Sequence, residues 1–176
     1  TNNVSVSVKV WGEYACFTRP ELKVERVSYT VPTPSAARGI LEAILYKPEF
    51  RWQIEEIQVL KEIQFINLRR NEVQGVISSR NVESAMRGTR ELAPLMADDT
   101  DNEGEGRTQR QTIALRDVAY VIKAGITLFT RDKNVNLAKK YSEQFNRRVA
   151  KGQCFQQPYF GCREFVAGFS LPDGTE

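Results

Sequence analysis

Histidine is absent from all 176 residues. That absence excludes every imidazole scheme: a Ser-His-Asp triad, a Cys-His pair or a two-histidine ribonuclease cannot be built. Acid–base work falls to Tyr, Lys, Asp, Glu or Cys. Cysteine is scarce as well, and Cys16, Cys154 and Cys162 form an odd count without C-x-x-C spacing, which speaks against zinc. Sitting among aromatics, they read as small core residues. No run approaches the roughly 18 apolar residues of a membrane helix. The opening "TNNVSVSVKVWG" also lacks the basic-then-apolar layout of a signal peptide. The expectation is a soluble, cytoplasmic protein with no membrane partner and no cofactor.

A strong net charge is missing too: 25 basic against 22 acidic residues give +3. The distribution is more informative. "DDTDNEGE", residues 98 to 105, holds five acids and no base, which leaves 25 bases against 17 acids elsewhere. This run lacks the glycine and distal glutamate of a calcium loop, so it reads as a solvated loop beside a basic body.

What is present is mostly strand and helix signal. "VSVSVKVW", residues 4 to 11, alternates at period two, as a half-buried strand does. "TVPTPSAARGILEAILYKP" carries a cap near Ser35, a helix with Ile40, Ala43, Ile44 and Lys47 on one face, and a stop at Pro48. The last turn should close at about Tyr46, which places Tyr46 and Lys47 at a fixed helix end. Residues 51 to 70 read as one bulged strand or two short ones, because alternation breaks at Glu55 and Glu56; helix is the competing reading.

Residues 71 to 107 are rich in Gly and Pro and read as an insert with arginines at its front, Arg69, Arg70, Arg80, Arg87 and Arg90. Residues 107 to 130 suit a β-hairpin or a long bent strand. Leu137, Tyr141, Phe145 and Val149 stand at four-residue steps, a helix stopped by Gly152, and "PYFGCREFVAGFSLP" reads as a last strand. The order is that of a split βαβ, ferredoxin-like (RRM-like) α+β fold with two helices on one face. The expected layout is one domain over 1–170 with a flexible insert at about 72–107, and residues 171–176 opening a C-terminal extension.

At "WGEYACFTRPELKVERVSYTVPTPSAARGILEAILYKP", "RRNEV" and "GQCFQQPYFGCREF" the chain resembles the d variant of the fifth CRISPR-associated protein. That family comprises the repeat-processing RAMP-superfamily endoribonucleases of subtype I-C systems. The resemblance implies a ferredoxin-like domain with an inserted β-hairpin and a C-terminal β segment, here short or truncated, since relatives continue past "GCREFVAGF". It implies cleavage of the CRISPR repeat hairpin, retention of the 5' handle, and assembly with the backbone and large subunits of the interference complex. Double-stranded DNA is a further candidate partner. A family Tyr at the end of the first helix corresponds to Tyr46, or to Leu45 if registered on the following Lys-Pro. A family Lys corresponds to Lys123. Where relatives read Lys-Ala-His or Glu-Ala-His, this chain has Lys123, Ala124 and Gly125, so an altered or inactive, handle-binding subunit is the alternative reading.

Metal-independent RNA cleavage needs a base for the 2'-hydroxyl, cations for the phosphorane and an acid for the leaving 5'-oxygen. It leaves a 2',3'-cyclic phosphate and a 5'-hydroxyl. Tyr46 and Lys123 are the catalytic candidates; Lys123 reads equally as a lysine blunting a sheet edge. Arg38, Lys47, Arg69, Arg70, Arg110 and Arg116 are the candidate RNA contacts, each also readable as a solvated surface charge.

Overall fold

The computed structural model describes residues 4–22, 24–73, 75–96, 107–129 and 135–174. In chain order the elements are β1 (Ser5–Ala15), β2 (Arg26–Val27), α1 (Pro34–Ile44), β3 (Phe50–Val59), β4 (Gln64–Val73), α2 (Ser79–Met86), β5 (Arg107–Leu128), α3 (Val135–Ala150) and β6 (Gly168–Ser170). Two compact units result, one of residues 1–66 with 113–176 and one of residues 67–112.

In the first unit β5 pairs antiparallel with both β1 and β3, and β1 pairs antiparallel with β6. The spatial order β3-β5-β1-β6 is the antiparallel split βαβ of a ferredoxin-like fold. Valine alternation builds its core: Val6, Val8 and Val10 are buried, and they stand opposite Ala124, Ile122 and Tyr120, buried as well. Residues of this parity face the helices. Phe50 and Trp52 of β3 meet Tyr141 and Phe145 of α3 at ring separations of 4.8 and 4.9 Å. Helix α1 buries Ala37, Ile40, Leu41 and Ile44, one stripe at helical spacing.

Several boundaries differ from the sequence expectation. The cap of α1 is Thr33, whose hydroxyl accepts from the Ala36 amide at 3.2 Å, rather than Ser35. Pro34 explains the shift, since its fixed φ and missing N–H suit the first helical position and leave the cap to the residue before it. The helix also closes at Ile44, not Tyr46. Leu45 is extended and wholly buried, so core packing of its side chain ends the helix before Pro48 forces an end. Ala43 is only half-buried and Lys47 lies beyond the helix, so neither belongs to the buried stripe.

The interruption at Glu55 and Glu56 is a bulge in β3 between Ile54 and Glu56, and β4 follows as a second strand; neither segment is helical. Residues 107–128 form one strand of 22 residues rather than a self-contained hairpin, and its hairpin partner is β4. The closing segment contributes only Gly168–Ser170 and an isolated bridge between Tyr159 and Val166. Pro158, with no amide hydrogen, and Gly161 at φ +81° keep residues 155–167 irregular.

The second unit, by itself, holds most of β4, the helix α2 and the start of β5. Helix α2 was not expected within an insert read as loop; it buries no residue, so local propensity with a Glu83–Arg87 pair at 3.7 Å carries it. The acidic run at 98–105 lies outside the described residues.

Candidate active site

Four carbonyls at a helix C-terminus lack intrahelical partners, and at the end of α1 those of Ala43, Ile44 and Leu45 are filled from three directions. Ala43 O accepts from the backbone amides of Phe155 at 2.8 Å and Gln156 at 3.1 Å. Ile44 O accepts from Arg148 Nη1 of α3 at 2.8 Å, and Leu45 O from the indole Nε1 of Trp52 at 3.0 Å. Arg148 thus places a cation at the negative end of the helix dipole. Tyr46 is the next residue, 59 % exposed on a backbone held at the three carbonyls before it.

Two grooves meet at Tyr46. The first, about 480 Å³, has a floor of Ala36, Gly39 and Ala43 from the outer face of α1 and walls formed by Tyr46, Phe155, Gln156 and Tyr159. The second, about 270 Å³, is lined by Arg38, Arg51, Pro48 and Phe129 as well as Tyr46. Glu42 borders both and pairs with Arg38 at 3.6 Å.

Lys123 lines neither groove. It stands on β5 between Ser7 and Glu56, on the face turned away from the helices, so the edge-strand reading fails: its strand is paired on both sides. Four residues further along β5, about 13 Å at the rise of a strand, Thr127 pairs with Arg51, which does line the second groove. Gly125 is buried between Ser5 and Gln53 of the neighbouring strands. The Ser5 hydroxyl donates to the Glu55 carboxylate at 3.0 Å, a bond from β1 to β3.

The remaining candidates divide between the units. Lys47, half-buried, follows Tyr46 at the turn into β3, and Arg116 is exposed on β5 opposite Tyr14. Arg69, Arg70 and Arg110 belong to the second unit. There Glu72 is held by Arg70 Nη2 at 3.1 Å and Arg110 Nε at 2.8 Å, so both guanidinium groups already carry a carboxylate that a phosphate would have to displace. Arg69 is exposed.

Cys16 and Cys162 are core residues as the sequence indicated, and Cys154 is half-buried. A hydrogen bond with Cys162, together with burial, pushes the Cys16 thiol up, which keeps it protonated and inert. Among the described residues no group of three or more acidic or sulfur ligands could hold a metal ion. No described helix is long and apolar enough to cross a membrane.

Sequence reasoning missed Arg148, Arg51, Phe155, Gln156 and Tyr159. "CFQQPYF" did carry a signal: aromatics flanked by glutamines and a proline suit an irregular surface segment with exposed rings better than a strand. The Arg148 contact joins residues 104 apart and leaves no local trace. Arg148→Met retains the stem and removes the charge-assisted bond. It should cost about 1.5–3 kcal/mol, read as a lower denaturant midpoint with an unchanged slope.

The family profile described as CRISPR-associated protein (Cas_Cas5), of the Cas5d type, matches residues 5–174. The chain is 48 % identical over 173 residues to the CRISPR pre-crRNA endoribonuclease Cas5d of Mannheimia succiniciproducens, covering 97 % of this chain and 74 % of that one. It is 48 % identical over 169 residues to the protein of the same description from Thermus thermophilus, covering 96 % of this chain and 65 % of the other. A crystal structure of a CRISPR-associated protein superposes with a TM-score of 0.62 at 26 % identity, over 97 % of this chain and 68 % of that one. A chain of a CRISPR RNA-guided surveillance complex shares the fold with a TM-score of 0.52 at 13 % identity, over 98 % and 61 % of the two chains. With the profile spanning nearly the whole sequence and the split βαβ sheet in place, the chain belongs to the Cas5d family of CRISPR-associated proteins.

Proposed function

We propose that this protein is a CRISPR pre-crRNA endoribonuclease that binds the repeat hairpin and cuts it at a phosphate held beside Tyr46. The observation that carries this is the 48 % identity, over nearly all of the chain, to relatives bearing that name. The site supports it: an exposed phenol on a clamped helix end, with Arg38 and Arg51 lining the adjoining groove. In this reading the Tyr46 hydroxyl transfers a proton at the 2'- or 5'-oxygen, and the guanidinium groups offset the charge gathering on the phosphorane. The products are a 2',3'-cyclic phosphate and a 5'-hydroxyl, formed without metal. The protein then keeps the 5' handle within an interference complex with its backbone and large subunits, in the cytoplasm, where double-stranded DNA is the complex's target.

A second reading is favoured by one observation. Gly125 offers no imidazole, which fits a subunit that grips the handle without cutting it. In that case Lys123 and Arg116 serve as RNA contacts together with Lys47, Arg69, Arg70 and Arg110.

The test is incubation of the protein with labelled repeat RNA and with a scrambled hairpin, both in EDTA. A single cut in the repeat alone, with a 5'-hydroxyl on the downstream fragment, is the expected result. Tight repeat binding without a cut selects the second reading. Equal binding of both hairpins defeats both. Should six phosphate contacts form, the affinity should fall about 10³-fold between 50 and 200 mM salt.

A further inference from the structure

The larger groove at Tyr46 has a construction that phosphate binding and proton transfer do not use. Its walls carry three exposed aromatic rings: Tyr46 at 59 %, Phe155 at 75 % and Tyr159 at 39 % exposure. Aromatics this exposed on an apolar floor are costly unless something covers them. The floor is kept low by small residues, and at Gly39 a β-carbon would meet nothing within 4 Å. The wall is also fixed in advance, because the amides of Phe155 and Gln156 both donate to Ala43 O of the helix that forms the floor. A volume of about 480 Å³ falls within the range of sites that enclose a small planar ligand.

From this geometry we infer that the groove is a slot for one unpaired nucleobase of the bound RNA, stacked against Phe155 and flanked by Tyr46 and Tyr159. The inference rests on the RNA-binding reading above and adds a residue set to it. The charge pattern favours nucleic acid as the occupant: the groove adjoining across Tyr46 is lined by Arg51 and by Arg38, the latter paired with Glu42 at the border, and its two cations against one acid put a backbone phosphate on one side of the tyrosine while its base turns to the other. Two polar side chains face the base edge. Gln156 can donate and accept, whereas Glu42 only accepts and would face the two carbonyls that flank uracil's N3–H, so the slot favours a base with an exocyclic amino group over uracil. Its position makes it a selector of which phosphate lies against the Tyr46 hydroxyl.

The test uses the repeat hairpin and a scrambled hairpin, each with 2-aminopurine placed in turn at the unpaired positions flanking the stem. With the wild-type protein, one position should show strong quenching, as a stacked base does. Phe155→Ala should abolish the quenching and weaken binding by about tenfold. Phe155→Trp should restore both, and the melting temperature of each variant should match the wild type, since the ring is mostly exposed. Uracil at the quenched position should bind more weakly than adenine. Quenching on both hairpins alike keeps the slot and removes the repeat-specific reading. Repeat binding and cutting that are indifferent to Phe155→Ala, with no quenched position, keep that reading and overturn the slot; a partner protein would then be the occupant of the aromatic face.

Discussion

Tyr46→Phe should slow cleavage of the repeat hairpin by about 10²- to 10⁴-fold while leaving fold and RNA affinity in place. The substitution removes one oxygen. The ring that stays behind is 59 % exposed, and the backbone beneath it is set by bonds from Phe155, Gln156, Arg148 and Trp52 to the carbonyls of residues 43 to 45, none of which involves the hydroxyl. Stability should therefore move by no more than about 0.5 kcal/mol. Single-turnover cleavage, with binding followed separately, reads the two effects apart. Lys123→Ala is the informative companion, because Lys123 lines neither groove at Tyr46 and stands about 13 Å along β5 from Thr127, the partner of Arg51. It should weaken binding a few-fold and spare the cleavage step. A loss as deep as that of Tyr46→Phe would place Lys123 at the reacting phosphate as well. Full activity of Tyr46→Phe would defeat the Tyr46-centred reading.

How far the sequence could be read depended on the range of the interactions involved. Period-two alternation in β1 and four-residue steps in α3 are local, and both elements stand where the pattern puts them, with Val6, Val8, Val10, Tyr141, Phe145 and Val149 buried. The bulge at Glu55 was legible for the same reason. Element ends were not. Thr33 and Leu45 set the limits of α1 through a proline's fit at the first helical position and a side chain's burial, effects that propensity alone ranks wrongly. The site shows the sharpest contrast. Tyr46 could be marked from its place before Lys47 and Pro48, but its walls come from residues 155 to 159, more than a hundred positions later. Lys123 is joined to Tyr46 by resemblance alone, and strand register adds that it stands between Ser7 and Glu56.

Gly161→Ala should be the most destabilising small substitution in the segment that walls the site. Gly161 has φ +81°, and a β-carbon there would lie 2.0 Å from the carbonyl oxygen of Cys16 and 2.7 Å from its carbon. Both are backbone atoms at the end of β1 and cannot swing aside, so residues 160 to 162 must move. The amide of Cys16 donates to Phe160 O at 3.0 Å, and the fully buried Phe160 ring packs against Phe17 and Tyr120 at 6.2 and 5.9 Å. A shift therefore adds a weakened hydrogen bond and a disturbed aromatic cluster to the left-handed backbone cost of about 1–2 kcal/mol. The total should reach about 3 kcal/mol or more, a fall in melting temperature of about 6–12 °C for a chain of this size. Gly152→Ala is the control that isolates the close approach: φ is +63° there, but nothing lies within 4 Å, so only the backbone cost of about 1–2 kcal/mol applies. Equal losses at the two positions would mean that the contact with Cys16 relaxes freely. A larger loss at Gly161, accompanied by weaker stacking of 2-aminopurine at Phe155, would show that the anchoring of this segment on β1 also holds the wall of the groove.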